Sequence, residues 1–183
     1  MSYGWTGEKT RLVPLDKSAH LDNVVRWFND PEVTQWMLTG DFPLTKIAEE
    51  TWFDKRSEFP SQPTDLVLAI ETLDGEHIGM TGLHAINHRD GTATTGTTIG
   101  DPGNWNKGFA ADAIKTRSRY AFDVLNLRML LSEVLEPNTA SHKALQRAGY
   151  VEYGRLPRHR WKRGDYRDSI LYVLTRETWR GQA

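Results

Sequence analysis

Residues 104–113 read Asn-Trp-Asn-Lys-Gly-Phe-Ala-Ala-Asp-Ala. An ordinary helix start uses Ser, Thr, Asp or Asn, followed by Glu or Pro. Here a lysine and a glycine stand at the front of a long amphipathic helix. The first backbone N–H groups of a helix lack intrahelical partners, and the macrodipole adds partial positive charge there. The strand TTGTTIG leads into this stretch, so the N–H groups of residues 106–110 point free into the loop. Gly108 lets a ligand approach the backbone, and Lys107 can neutralise its charge. Together these features suit a pyrophosphate. The glycine spacing fits neither a P-loop nor a dinucleotide fingerprint.

A second group lies in EPNTASHKALQRAGY, residues 136–150. Asn138 is placed as an N-cap, Ser141 falls in the first turn, and Gly149 closes the helix. Two further side chains able to move protons lie on strands, Glu133 in RMLLSEVLE and His84 in HIGMTGLHAI. His84 and His88 are four apart on a strand and turn with no third ligand, so no metal site is expected.

The elements that must position these groups follow from periodicity. RLVPL (11–15) reads as a strand. Ser18 can cap a helix with Leu21, Val24, Val25 and Phe28 on one face. Asp30 and Pro31 open a short turn, and Thr45 can cap a helix to about Glu58, with Ile47, Ala48 and Trp52 inward. DLVLAIET, HIGMTGLHAI and TATTGTTIG, joined by LDGE and NHRDGTA, make an antiparallel meander. The helix after the lysine-glycine step runs to about Leu125, its stripe being Ala110, Ala113, Ile114, Ala121, Val124 and Leu125. Arg117 is the exception on that face. RMLLSEVLE is a strand, and YVEYGRLPRHRW and YRDSILYVLTRE form a hairpin through KRGD. The order is β, α, α, β, β, β, α, β, α, β, β, one α/β domain over residues 10–183, with residues 1–9 expected as a loose tail.

Composition narrows the function. The 183 residues suffice for one sizeable core, and 38% hydrophobic with 26% charged residues fits a globular chain. The net charge of −1 gives no pull toward nucleic acid or anionic membrane. The absence of cysteine excludes disulfides, zinc-thiolate sites and thiol catalysis. The N-terminal residues lack an apolar signal core, and no run approaches the roughly 18–20 apolar residues of a membrane span. A cytoplasmic location is expected. Seven Trp point to core material first and aromatic-lined clefts second.

Taken together, the motifs resemble the GNAT acetyltransferase superfamily, in particular its RimJ/RimL-like branch of ribosomal-protein and small-amine N-acetyltransferases. The resemblance rests on Trp105-Asn106-Lys107-Gly108-Phe109-Ala110-Ala111-Asp112-Ala113, on Asn138, Ser141, Gly149 and Tyr150, and on the two ends of residues 10–179. It implies a mostly antiparallel mixed sheet (α+β), flanked by helices and splayed between TATTGTTIG and RMLLSEVLE. The pantetheine arm of acetyl-CoA would pair with backbone at Thr97, Thr98 and Ile99. The pyrophosphate would sit on residues 105–110, with Asn138 and Lys143 also at the cofactor. A primary amine, a protein N-terminus or a small molecule, would attack the thioester directly. Ser141, with Asn138 beside it, would protonate the departing thiolate. Trp27, Trp36 and Trp52 lie in the helices that cover the acceptor site in this family.

Three departures from the family pattern matter. Asn106 replaces a frequent glycine, Leu145 a Tyr acid, and Thr94-Thr95 a Glu base. The base is left open between Glu133, His84 and an amine that arrives neutral. Acidic Asp41, Glu49 and Glu50 would attract a cationic amine, whereas the basic hairpin around Arg158–Arg167 would repel a polycation and favour a zwitterionic or peptide-like acceptor. A catalytically silent acyl-CoA sensor of the same fold is the alternative, and the chain is expected as a monomer or homodimer.

Overall fold

A computed structural model describes residues 5–56 and 60–180 and shows one eight-stranded sheet. Its strands are β1 (Trp5–Thr6), β2 (Thr10–Pro14), β3 (Leu66–Thr72), β4 (His77–Asn87), β5 (Thr92–Ile99), β6 (Met129–Leu135), β7 (Val151–Lys162) and β8 (Asp165–Thr175). They lie in the order β1-β2-β3-β4-β5-β6-β8-β7. Every neighbouring pair is antiparallel except β5–β6. A parallel pair needs a crossover, and α4 (Phe109–Asp123) supplies it. The other helices are α1 (Lys17–Phe28), α2 (Pro31–Thr34), α3 (Lys46–Arg56), α5 (Thr139–Arg147) and α6 (Arg176–Arg180). None is long and apolar enough to cross a membrane.

The parallel pairing lasts only from Thr92↔Met129 to Thr94↔Leu131. Beyond it the sheet opens into two halves, β1–β5 and β6–β8–β7. Leu83 packs in the core of α4, α5 and β6–β8, whereas Met80 packs with Leu21, Val24 and Phe53 of α1 and α3. An odd spacing along one strand puts these residues on opposite faces, so helices cover the first half on both sides.

Several local expectations are corrected. Asp16, not Ser18, caps α1: its Oδ1 accepts from Ala19 N at 3.0 Å. Ser18 donates its hydroxyl to that carboxylate instead. The buried residues of α3 are Glu49 and Phe53, with Trp52 half-buried. Ile47 is 76% exposed and Ala48 is exposed. Docking of Phe53 against α1 sets the helix rotation, and only one rotation is available. The expected end of this helix at Glu58 lies outside the described residues. Val124 leaves the α4 stripe and is exposed, because α4 ends at Asp123.

Residues 5–10 are tied down rather than loose, and residues 1–4 lie outside the described set. Trp5 and Thr6 pair with β2, and Trp5 meets Tyr120 edge-on. The Asp112 carboxylate in the first turn of α4 accepts from the backbone N–H of Glu8, Lys9 and Thr10, and from the Thr10 hydroxyl at 2.6 Å. A carboxylate is also favoured by the dipole at that end of the helix.

Candidate active site

Asp101 caps a single 3-10 turn over Pro102–Asn104, its Oδ1 accepting from Gly103 N. Trp105 Nε1 then donates to Ile99 O at 2.8 Å and fixes the loop on the end of β5. Two residues take positive φ, Asn106 at 61° and Gly108 at 87°. Asn tolerates this region better than most residues, and glycine tolerates it best. Gly108 caps α4 without a side chain, and among the described residues no side-chain oxygen caps the first amides. A Cβ at Gly108 would meet only Lys9, 3.4 Å from its Nζ. The glycine is therefore demanded by φ. Lys107 turns its Nζ to Asn104 Oδ1, and its carbonyl accepts from Lys9 Nζ.

This loop opens onto a cleft of about 440 Å³. Its walls are Thr95–Ile99 of β5, Asn104–Asn106, Gly108–Ala111, Ile114 and Arg117 of the loop and α4, Ser132 of β6, and Asn138, Ser141, Lys143, Leu145 and Arg147 at α5. Glu32, Trp36 and Met37 close one side. Of the sequence-derived cofactor residues, all but Lys107 line this space. Thr95 O accepts from Ser132 Oγ and Ile99 O from Trp105 Nε1. Strand alternation puts the N–H and C=O of Thr97 on the same side. There β5 has no strand neighbour, so Thr97 offers both groups to a ligand.

At α5, Asn138 Oδ1 accepts from Ser141 N at 3.2 Å, and Ser141 lines the cleft with no hydrogen-bond partner for its hydroxyl among the described residues. Leu145 lies in the same wall, 3% exposed.

The opposite face of the sheet carries the other proton-moving candidates. Glu133 does not line the cleft. Arg160 grips its carboxylate at 2.9 and 3.0 Å, and the Ser169 hydroxyl donates to it at 2.6 Å. The Arg160 hydrogen bonds hold its pKa down to about 2. A carboxylate so occupied is a poor proton acceptor. His84 Nδ1 lies 3.1 Å from Asp65 Oδ1. The carboxylate can only accept, so Nδ1 is the donor of this pair, and in a neutral imidazole the lone pair then lies on Nε2. A Cβ on Gly96 would sit 3.8 Å from His84 Nε2. Gly96 lines the cleft and His84 does not, so the histidine stands behind this glycine on the other face of the sheet.

Of the three tryptophans, Trp36 lines the cleft. Trp27 is 3% exposed and packs on His77; a Cβ on Gly100 would overlap its ring. Trp52 stacks under Arg56 on α3. Charge at the rim also differs from expectation. Asp41 is paired with buried Lys162 at 2.7 Å, and Glu49 is buried, its pKa raised by desolvation. The hairpin cations are engaged: Arg155 with Asp168, Arg160 with Glu133, and Arg163 with Thr34. The expected repulsion of a polycation is blunted accordingly. Sequence reasoning missed Glu32, Asp65, Ser132, Arg147 and the role of Arg117, because their partners are distant in sequence. Among the described residues, no three His, Asp or Glu side chains gather to hold a metal.

Residues 9–151 match the model of the acetyltransferase (GNAT) domain. The chain belongs to the GNAT acetyltransferase family. Its relatives include the uncharacterized N-acetyltransferase p20 of Bacillus licheniformis, 26% identical over 161 residues, covering 87% of this chain and 89% of the relative. Another is the uncharacterized N-acetyltransferase YoaA of Bacillus subtilis strain 168, 30% identical over 101 residues, with 55% and 56% coverage. Among solved structures, the spermidine N-acetyltransferase of Vibrio cholerae in complex with CoA and spermine superposes with a TM-score of 0.84. The match has 20% identity and covers 93% of this chain and 97% of that one. The GNAT fold explains the open sheet: the gap at β5–β6 is part of the family architecture.

Proposed function

We propose that this GNAT protein is an acetyl-CoA-dependent N-acetyltransferase acting on a primary amine by direct attack in a ternary complex. The observation that carries the reading is one cleft that joins uncapped α4 amides to an unpaired strand edge. A pyrophosphate needs the first and an amide-rich pantetheine arm the second. Acetyl-CoA supplies the thioester carbonyl. The backbone of residues 106–110 binds phosphate oxygens, and Thr97 aligns the arm. His84 Nε2, its tautomer fixed by Asp65, takes the proton that the attacking nitrogen loses. Ser141 gives its hydroxyl proton to the departing sulfur and regains one from solvent. Glu133 serves as an anchor for Arg160 and the hairpin. The acceptor enters from the His84 face, past Trp36 and Glu32, and an exposed carboxylate there favours a cationic amine.

The test is CoA release with a panel of primary amines, including a polyamine and a peptide with a free N-terminus. Amine-dependent release supports the enzyme. Tight acetyl-CoA binding without release by any amine supports the silent sensor, the reading that Leu145 in place of an acidic hydroxyl favours.

A further inference from the structure

The polar interruption of the α4 stripe, Arg117, lies where the sheet divides. It is 2% exposed. Its Nη1 donates to Thr81 Oγ1 at 2.9 Å, Gly96 O at 3.0 Å and Thr97 Oγ1 at 2.8 Å. Its Nη2 donates to the Tyr150 hydroxyl at 3.1 Å. The first three partners belong to β4 and β5. Tyr150 precedes β7 and shares a core with Leu130, Val134 and Ile170 of the other half. The guanidinium therefore spans the two halves beneath their gap, in the wall of the cleft.

Its charge has no answer among the described residues. All four partners are neutral, Nε is buried without an acceptor, and among the described residues no carboxylate pairs with it. The other charged side chains facing the cleft are Glu32 on α2 and Lys143 and Arg147 on α5, all exposed. The polar side chains that β4, β5 and β6 bring to this side are Thr81, Thr95, Thr97 and Ser132, all neutral. A desolvated cation is costly unless opposite charge meets it, and an apolar residue would serve the stripe better. Buried charge is also screened far less than charge at the surface.

We propose that Arg117 is the charge-stabilising cation of acyl transfer: its field favours the negative charge that builds on the thioester oxygen and then on the departing sulfur. The inference rests on the N-acetyltransferase reading. As the N–C bond forms and the C–S bond breaks, the electron pair stays on sulfur, Ser141 protonates it, and Arg117 keeps all its protons.

Coenzyme A itself is the probe. The ultraviolet absorbance of its thiolate, followed against pH on the saturated protein, should show the bound thiol ionising at lower pH than free CoA. Arg117→Met should abolish that difference, and Arg117→Lys should retain part of it. With an active amine, Arg117→Met should lower kcat about 100-fold, the scale of losing one preorganised charge-stabilising group. The acetyl-CoA KM should change less than about threefold, because the effect is confined to the transition state. Lysine should restore most of kcat. A beam that is merely structural gives the opposite pattern: lysine cannot fork to Thr81, Thr97 and Tyr150, so it fails as methionine does and the thiol does not shift. A wild-type thiol that titrates like free CoA overturns the proposal, even if Arg117→Met does not fold. A bound thiol that ionises at lower pH than free CoA, without amine-dependent CoA release, sinks the enzyme reading but keeps the cation. Absence of CoA binding by calorimetry sinks both.

Discussion

Replacing Gly108 by alanine isolates one backbone angle in the cofactor loop. The residue sits at φ 87°, where an L side chain costs on the order of 1–3 kcal/mol. The added Cβ makes only ordinary contacts with Lys9, at 3.4 Å from Nζ and 3.9 Å from Cδ and Cε. No clash adds to the backbone cost. For a chain of this length, each kcal/mol moves the melting temperature by roughly 2–4 °C, so a fall of about 4–8 °C is expected for a cost near the middle of that range. A loop that relaxes toward negative φ turns the first α4 amides away from a common focus, and acetyl-CoA affinity by calorimetry should fall about tenfold or more. Adding Lys9→Ala should not restore either quantity, because the strain lies in φ. Unchanged melting and affinity in Gly108→Ala would refute the argument. Full rescue by Lys9→Ala would replace it with a steric one.

Ser141→Ala should lower kcat by about 10–1000-fold with little change in acetyl-CoA affinity, as expected of a positioned acid; steady-state kinetics with a good acceptor checks this. His84→Gln should lower kcat/KM for a good acceptor in steady-state kinetics, and Asp65→Asn should do so in part by releasing the tautomer. His77 is neutral in the fold: burial, then the neighbouring His20, pushes its pKa down to about 4. Its Nδ1 accepts from Asn23 while Nε2 donates to Gly79 O. The unfolded chain therefore binds the extra proton first, and stability should fall as pH drops from about 6.5 toward 4; His77→Gln should flatten that stretch of a urea-denaturation series. Glu133 acts lower. Its carboxylate stabilises the fold fully above about 4.5 and loses that contribution as pH falls toward 2, so Glu133→Gln should remove the lower part of the same curve.

The loop before α4 and the turn into α5 were legible in the sequence because their signals are local. Asn106, Gly108, Asn138 and Gly149 each meet a backbone requirement set by their immediate neighbours. The surroundings of Glu133 and His84 were not, because their partners are long-range. Nothing near Glu133 in the sequence announces Arg160 and Ser169, which take its lone pairs from β7 and β8. Nothing in LAIETLDGEHIGMTGLHAI pairs His84 with Asp65 across the β3–β4 hairpin. The face of α3 was misread for a related reason. Its sequence KIAEETWFDKR has apolar residues on two sides, and Phe53 settles the rotation only by packing against α1. Asp16 and Ser18 are both good caps, and side-chain geometry alone decides between them. Arg117 was visible as an anomaly in a pattern, but its meaning needed the sheet.

The clamp of Asp112 on Glu8, Lys9 and Thr10 has a consequence for the order of folding. These hydrogen bonds join residues 102–104 positions apart. Closing a loop of that length carries a large entropic cost that local helix formation does not. On the ribosome, the N-terminal strand emerges long before its anchor on α4 exists. The hydrogen bonds of residues 8–10 to Asp112, and of Lys9 to the Lys107 carbonyl, therefore require strand and helix both to be in place. Damage at residues 5–10 should surface as a slow or incomplete gain of acetyl-CoA binding during refolding, followed by stopped-flow mixing with the ligand.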